Sequence, residues 1–384
     1  MHSTALSALT VQVLWAGFLV SMVFGAITQR TRFCTMGAIS DVVSYGDWTR
    51  MRQWGMAVGV AMIGFSILAY GGWINPSKSI YASTRWLWLS ALVGGFLFGL
   101  GMVLGSGCGS KTLVRIGSGN LKAFVVFLVM GVAAFATLKG ITAVLRVATV
   151  ERVGIELSQG STLTDWAASA LGVPATAAGI ALSMVIGGGL IFWASRERSF
   201  RHPENYIAGV GIGGAVIAMW WVSGNLGHVV EHPETLQEAY LATNSGRMEA
   251  LSFTAPMAYA LDWIILFSDR SKVLTLAVVS VLGVIAGSAI QAVVSGDFRW
   301  EGFGGTEDLA NHLIGATLMG IGGVTAMGCT VGQGLSGIST LSASSFLAVA
   351  GIMLGAVMAL RYQNWRLERT AVSYTHLRAH ETDS

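Results

Sequence analysis

The sequence predicts an all-α polytopic membrane protein with about nine transmembrane helices and re-entrant half-helices in an inverted repeat. Three observations predict this fold class. Hydrophobic residues make up 53% of the 384 residues and charged residues 11%, with 50 glycines and 5 prolines, a composition far from that of a soluble enzyme. Long apolar stretches are interrupted at glycine-rich points. Two distant parts of the chain also share a motif.

A transmembrane helix needs about 20 mostly apolar residues. The first apolar stretch has no basic segment before it and no small-residue cleavage site, so we expect a retained span rather than a signal peptide. The last residues, from 372 onward, share no pattern with the rest and resemble translated linker sequence. The stretches that meet the length requirement are 11–28, 53–72, 87–105, 121–140, 175–195, 206–223, 272–295, 310–327 and 344–361.

An internal repeat appears when the chain is aligned with itself. At an offset of 221 residues, seven of fifteen positions are identical between 94–108 and 315–329, and both segments end in Gly-Cys. At an offset of 220, residues 33–38 have a weaker counterpart at 253–258. The span 175–195 lies between the halves as an extra one, and the resulting odd number of spans inverts the second half. Inverted repeats with interrupted helices place the substrate site of many transporters near the midplane.

The expected organisation has four parts. Residues 1–150 form the first membrane repeat, and 151–204 form a linker with an extra transmembrane helix. Residues 205–365 form the second, inverted repeat, and 366–384 form a tail whose end resembles non-native linker sequence. No part of this organisation suggests nucleic-acid binding, and the lipid bilayer is the expected surroundings.

Lys and Arg are enriched in cytoplasmic loops of membrane proteins. With the N-terminus outside, the inside connections carry fourteen of these residues and the outside connections carry eight. This predicts a multi-pass protein of a bacterial inner membrane with a cytoplasmic C-terminus. The polar stretch 228–248, with Glu231, Glu234 and Glu238, is expected to be a solvated outer loop. Tryptophans near span ends, among them Trp220, are expected to lie at the membrane interface.

Each of the three cysteines, Cys34, Cys108 and Cys329, lies at a break between apolar stretches. A short helix is expected after each cysteine, and a fourth one is expected at Thr254, which can cap it, with Pro256 in its first turn. If four half-helices enter from both membrane faces, their N-termini converge near the centre. Unpaired N–H groups and partial positive charge at those N-termini would form an anion site.

The residues around the breaks define the predicted site. Basic residues lie close to the breaks, whereas few acidic residues lie in the spans, so the local field should favour anions. Asp41 and Asp262 occupy nearly matching positions in the repeat and should cap or pair locally. Arg30, Arg32, Lys111 and Arg115 are the nearby basic residues. The predicted substrate pathway comprises Cys34, Gly107, Cys108, Gly109, Ser110, Thr254, Gly328, Cys329, Thr330 and Gln333.

A free cysteine is most often a small buried hydrophobic residue, so packing alone is an alternative role for these three. Their restriction to break points favours a functional role. We expect no disulfide, because the count is odd, and no metal site, because no C-x-x-C pair is present and the histidines are scattered. Apolar surroundings disfavour the thiolate. Neutral S–H groups are weak donors that can face a sulfur atom without repelling a dianion.

Together these motifs resemble the YeeE/YedE sulfur-transport family of inner-membrane proteins. The resemblance implies an hourglass-shaped bundle in which the three cysteines relay thiosulfate, or a related small sulfur anion, through S–H hydrogen bonds. It also implies a soluble TusA-like sulfur carrier as a partner. By the topology above, Cys329 is expected on the approach from the outside, and Cys34 and Cys108 are expected in the cytoplasmic half or at the constriction. Four segments carry the resemblance, which extends to about residue 365: 29–34, 99–110, 252–256 and 328–337.

The leading prediction is therefore a permease for thiosulfate or a similar anion, with no catalytic residue and no cofactor. Three alternatives remain open at this point. A membrane sulfurtransferase could carry sulfur as a cysteine persulfide, which would need a thiolate beside a base. A transporter of a selenium compound would share the same architecture. A structural or assembly subunit would use its cysteines for packing only.

Overall fold

The computed structural model describes residues 2–233 and 235–381, and this part of the chain is a bundle of α-helices with two very short antiparallel strand pairs. Eight helical segments within it are long and apolar enough to cross a membrane. The predicted class, an all-α polytopic membrane protein, is confirmed. Glu234 and the last three residues of the linker-like tail, 382–384, lie outside the described residues.

The helices fall into three consecutive groups. The first group is α1 (His2–Thr31), α2 (Thr35–Tyr45), α3 (Thr49–Tyr70), α4 (Trp88–Leu104), α5 (Gly109–Gly117) and α6 (Leu121–Lys139). The middle group is α7 (Ile141–Ala148), α8 (Leu163–Leu171) and α9 (Ala175–Arg196). The last group is α10 (Pro203–Trp221), α11 (Thr254–Ile265), α12 (Leu276–Ser295), α13 (Thr306–Thr325) and α14 (Ala343–Glu381).

Short elements join the helices. Antiparallel pairs form between β1 (Arg85–Trp86) and β2 (Ile155–Glu156), and between β3 (His228–Val229) and β4 (Ala239–Tyr240). Two π-helical turns occur, at Val222–Leu226 after α10 and at Gly332–Gly337 between α13 and α14. Turns of 3₁₀ helix occur at Pro76–Lys78, Val150–Arg152 and Arg198–Arg201.

Helix α13 covers the predicted span 310–327 but is not one of the eight strongly apolar segments. Its first turns carry Glu307, Asp308 and His312, which lower its mean hydropathy. Two of the eight segments each contain a break, because Leu6–Tyr45 joins α1 to α2 and Trp88–Gly117 joins α4 to α5. These two breaks are the ones that the sequence predicts at the first two cysteines.

Three long helices, α1, α4 and α13, end in the same way. The residue two positions before each cysteine has left-handed backbone, with φ of 52°, 54° and 59°. The next residue donates its N–H to the carbonyl five positions back, over 2.7 to 3.2 Å. This closure is the Schellman motif, here with non-glycine residues that cost roughly 1–2 kcal/mol in this conformation. The left-handed residues are Arg32, Ser106 and Met327, and the bonded pairs are Phe33 with Thr28, Gly107 with Met102 and Gly328 with Gly323.

Helix packing repeats between the two halves. Helix α1 packs on α12 and α10 packs on α3, while α14 packs on α4 and α13 packs on α6. Helix α5 contacts α12, and the Gly332–Gly337 turn contacts α3. In this arrangement α1, α2, α3 and α4 correspond to α10, α11, α12 and α13, α5 corresponds to the Gly332–Gly337 turn, and α6 corresponds to α14. Replacing each helix by its counterpart then turns every one of these contacts into another observed contact. The contacts α1–α10 and α4–α13 are turned into themselves.

Asp41 and Asp262 lie in the corresponding helices α2 and α11, and each forms a local ion pair. The Asp41 carboxylate lies 3.4 Å from the Arg50 guanidinium. The Asp262 carboxylate lies 2.5 Å from the Lys272 ammonium. The predicted local pairing of the two residues is confirmed. In each half, the pair joins a short helix to the segment that follows it.

The connections between helices lie at two ends of the bundle. The Lys122 end comprises 46–48, 118–120, 197–202 and 296–305, where Leu121 N–H bonds the Glu301 carbonyl. The Arg85 end comprises 71–87, 140–174 and 227–253, which are joined by the β1–β2 pair and by the bond from Ile80 N–H to the Met248 carbonyl. This grouping agrees with the two sets of loops separated by counting Lys and Arg.

One interface tryptophan is an exception. The side chain of Trp220 is fully buried, and its Nε1–H donates to the Ser339 hydroxyl at 3.1 Å. Its ring packs edge-on against Phe65 with centroids 5.2 Å apart. The expectation that Trp220 lies at the membrane interface is wrong, because its ring is enclosed by Phe65, Tyr81 and Ser339 inside the bundle.

Candidate functional site

Two of the thiols accept hydrogen bonds from the helical turns that follow them. Cys34 is the N-cap of α2, and its Sγ accepts the N–H of Gly37 at 3.4 Å. Cys329 Sγ accepts the N–H of Gly332 at 3.5 Å, at the start of the Gly332–Gly337 turn. A sulfur that accepts a backbone N–H retains its own hydrogen for another acceptor. Each of these two thiols therefore keeps an S–H hydrogen that it can donate.

The third thiol connects the other two. Cys108 is the N-cap of α5, and its Sγ lies 3.2 Å from the Ser110 hydroxyl. It lies beside the Cys34 thiol and beside the side chain of Thr330, the neighbour of Cys329. Cys108 and Cys329 are 1% and 0% exposed, and Cys34 is partly buried. The structure thus brings all three predicted cysteines into one cluster inside the bundle, away from lipid.

Two hydroxyls beside this cluster have no hydrogen-bond partner in the described part of the chain. Thr254 Oγ1 and Thr330 Oγ1 are both unpaired, although the residues are only 0% and 2% exposed. An unsatisfied buried polar group costs about 1–3 kcal/mol, so both hydroxyls are available to bind a ligand. The predicted capping by Thr254 is wrong: α11 begins at Thr254 and its N-cap is Phe253.

The predicted glycines allow close approach of the backbone. A Cβ on Gly109 would lie 3.2 Å from Met130 Cε and 3.6 Å from Phe253 Cβ. A Cβ on Gly107 would lie 3.0 Å from Lys111 Cγ. Gly107 and Gly328 are also the residues that close the Schellman turns. These glycines position the breaks and bring the short helices together.

Gln333 is held by the protein itself. Its Nε2 donates to the Ala326 carbonyl at 2.5 Å, and its Oε1 accepts from the Ser345 hydroxyl at 2.5 Å. The side chain is 1% exposed. Gln333 therefore ties the Gly332–Gly337 turn to the end of α13 and to the start of α14, which keeps Cys329 in place.

Tyr81 belongs to the site and was missed by sequence reasoning. Its hydroxyl donates to the Gly332 carbonyl at 2.7 Å, in the turn whose N–H bonds Cys329. Burial raises the pKa of Tyr81 above its ordinary value, with smaller contributions of the same sign from Cys329 and Glu249, so the hydroxyl stays protonated. It lies in the connection between α3 and α4, far from any cysteine in sequence, and no motif pointed to it.

A cavity of about 270 Å³ lies between the cysteine cluster and the Arg85 end. Gly328, Met327 and Ser252 line it near the cluster, and Arg146 and Glu249 line it farther out. The Arg146 guanidinium pairs with Glu151 at 3.1 Å. Burial raises the pKa of Glu249 above its usual range. Cys329 is the first thiol behind this cavity, since Gly328 lies in its wall.

The basic residues predicted near the breaks divide into two groups. Lys111 lies in the first turn of α5 and approaches the Cys34 and Cys108 thiols, with Arg50 and Arg115 beside it. Arg30 and Arg32 are exposed.

In residues 2–233 and 235–381, no three His, Cys, Asp or Glu side chains are grouped so that they could hold a metal ion.

Comparison with known proteins identifies the family. A family model described as sulphur transport matches residues 30–358. The chain is 29% identical over 362 residues to the thiosulfate transporter TsuA of Spirochaeta thermophila, covering 89% of this chain and 97% of that protein. It is 25% identical over 349 residues to the thiosulfate transporter TsuA of Escherichia coli, covering 88% and 92%. The chain is therefore a multi-pass membrane protein that belongs to the sulphur transport (YeeE/YedE) family.

Proposed function

We propose that this protein is a permease that imports thiosulfate, or a related small sulfur-containing anion, across a bacterial inner membrane without catalysing a reaction. The observation that carries the proposal is the convergence of three thiols on one buried site beside the unpaired hydroxyls of Thr254 and Thr330. Two relatives of almost the same length that carry the name thiosulfate transporter support the substrate.

The substrate would enter the cavity at the Arg85 end and meet Cys329 first. Cys108 and Cys34 would receive it next, because these two thiols adjoin each other beyond Thr330. The S–H groups donate to the sulfur or oxygen atoms of the anion, and the threonine hydroxyls donate to its oxygens. The N-termini of α2, α5 and α11 add partial positive charge. Neutral, successive donors bind the anion weakly enough to let it leave, which conduction requires.

We further infer that residues 1–150 and 205–365 are the two repeats and that 151–204 contribute the extra helix α9. The correspondence between helix contacts in the two halves, such as α1–α12 with α10–α3, supports this division. The excess of Lys and Arg in the connections of the Lys122 end supports a cytoplasmic location for that end, with the N-terminus outside. A TusA-like carrier that accepts sulfur inside the cell would then dock at the Lys122 end.

The test is uptake of ³⁵S-thiosulfate by proteoliposomes that contain the purified full chain. Uptake should exceed that of protein-free liposomes, should saturate, and should be reduced by unlabelled thiosulfate more than by sulfate or selenite. Stronger competition by selenite than by thiosulfate would assign the protein to a selenium compound. Equal uptake with and without protein would overturn the proposed function.

A further inference from the structure

A group of basic side chains lies on one side of the thiol cluster and has no role in the relay. Lys111 and Arg115 follow Cys108 by three and seven positions, so the three residues share a face of α5. Lys111 lies within electrostatic range of the Cys34 and Cys108 thiols, of Arg115 and of Arg50. The basic side chains therefore lie directly beside the Cys34 and Cys108 thiols.

Glycines bring these cations against the first turns of both short helices. A Cβ on Gly107 would lie 3.0 Å from Lys111 Cγ and 3.9 Å from Arg115 Nη1. A Cβ on Gly37 would lie 2.6 Å from Arg50 Nη1, and the Gly37 N–H is the one that bonds Cys34 Sγ. The positive charges and the helix N-termini thus border the same space.

Two of these three cations have no carboxylate partner among the described residues. Within the described residues, neither Lys111 nor Arg115 forms an ion pair within 4.0 Å, and Asp41 pairs with Arg50 at 3.4 Å. Both Lys111 and Arg115 are partly buried, so their mutual repulsion is only partly screened by solvent. A cluster of like charges without matching carboxylates is unfavourable unless an anion joins it.

Two cations at the Arg85 end each have a carboxylate partner. Arg146 pairs with Glu151 at 3.1 Å, and Lys78 pairs with Glu238. Arg146, which lines the cavity on the Cys329 side of the cluster, is therefore neutralised by a carboxylate, whereas Lys111 and Arg115 on the α5 side have no such partner among the described residues.

We propose that Lys111 and Arg115, together with Arg50, form a second anion site that receives the small sulfur dianion as it leaves Cys108 and Cys34. The inference rests on the proposed function and adds a site to it. Neutral thiols recognise the soft sulfur atom but carry no net charge, so a neighbouring cationic site supplies the attraction for a dianion. The Arg115 guanidinium can bind two oxygens at once, whereas Lys111 acts as a point charge.

The test measures ³⁵S-thiosulfate binding to the full chain in detergent and uptake by proteoliposomes, for the wild type and for K111Q, R115Q and K111R. We expect K111Q and R115Q each to weaken binding about tenfold, a loss of ~1.4 kcal/mol, and K111R to stay within about threefold of the wild type. Added NaCl should weaken wild-type binding more than K111Q binding, because screening acts on the charge that this variant lacks.

The matched control is K122Q, which removes a cation that is paired with Asp308 at 2.8 Å. Thermal unfolding and gel filtration identify variants that do not fold, and R115Q serves if K111Q is one of them. Wild-type uptake with K111Q and R115Q no weaker than K122Q would overturn this site alone. A wild-type protein that takes up no thiosulfate would overturn the proposed function and the site with it.

Discussion

Gly101 and Gly315 pack backbone against backbone where α4 crosses α13. A Cβ built on either residue would lie 2.6 Å from the carbonyl oxygen of the other. Gly94 and Gly322 make the same reciprocal contact, at 2.8 and 2.6 Å. In the sequence repeat Gly94 corresponds to Gly315 and Gly101 to Gly322, so exchanging the two halves turns the Gly101–Gly315 contact into the Gly322–Gly94 contact. A two-fold relation between the halves produces this exchange.

Replacing Gly315 by valine should strongly destabilise the protein. The new side chain would collide with backbone atoms of α4 that cannot rotate away, and overpacking of this kind costs about 1–3 kcal/mol or more. Intrinsic tryptophan fluorescence during heating in detergent measures the effect. Gly188→Val in α9 is the control, because a Cβ there meets nothing within 4 Å. Equal unfolding temperatures for the two variants would contradict the proposed crossing.

Cys108→Ala and Cys329→Ala should each reduce thiosulfate uptake roughly 10- to 100-fold, since a hydrogen bond to a charged group is worth about 1.5–3 kcal/mol. Folding should be retained. Uptake by proteoliposomes and gel filtration of the same preparations measure both properties. Met184→Ala, which removes a sulfur from an exposed position on α9, should leave uptake unchanged. Full uptake by all the cysteine variants would instead favour a packing role.

Thr330→Val should reduce uptake without reducing stability. The hydroxyl has no hydrogen-bond partner among the described residues, so an isosteric methyl group breaks no hydrogen bond of the fold and removes a donor from the proposed pathway. Thr112→Val is the contrasting variant, because the Thr112 hydroxyl donates to the Cys108 carbonyl at 3.1 Å and its loss should lower the unfolding temperature. If Thr330→Val were the more destabilising change, the Thr330 hydroxyl would be serving the fold.

Uptake should become more efficient as the pH falls, through Glu249. Burial raises the pKa of this carboxyl, so it gains a proton at a higher pH than a free glutamate and then no longer repels an anion in the cavity. We expect the KM of the wild type for thiosulfate to fall with pH. Glu249→Gln, which keeps an acceptor for the Asn244 and Ser245 N–H groups, should have a low and nearly constant KM. A pH dependence that persists in the variant would exclude Glu249 as its source.

The raised pKa of the Glu249 carboxyl also makes the free energy of unfolding depend on pH. A carboxyl whose pKa is higher in the folded than in the unfolded protein favours folding below the unfolded pKa of about 4.3. That contribution is lost as the pH rises through the folded pKa. At neutral pH Glu249→Gln should therefore unfold at a temperature equal to or higher than the wild type, in the same fluorescence measurement. A clearly lower temperature would show that the charged form is stabilised in the folded protein.

Local patterns were sufficient for much of the fold. Long apolar runs predicted the spans, and Gly-Cys at the end of two matched segments predicted the breaks at Cys108 and Cys329. The local pairing of Asp41 and Asp262 followed from their matching positions in the repeat. Thr254 was misassigned as a cap because Phe253 and Thr254 differ by one position, a distinction that only backbone geometry makes. Trp220 was misplaced because hydropathy alone cannot distinguish lipid from protein surroundings.

The sequence by itself determined that the chain is a membrane protein, where its helices break and which residues have a thiol at those breaks. These properties depend on composition and on contacts between near neighbours. Only the tertiary structure decided that the three thiols meet, that Tyr81 joins them and that Lys111 and Arg115 have no carboxylate partner among the residues it describes. Such relations join residues up to 295 positions apart in the chain, Cys34 and Cys329, and arise from glycine-mediated helix crossings whose register no local pattern specifies.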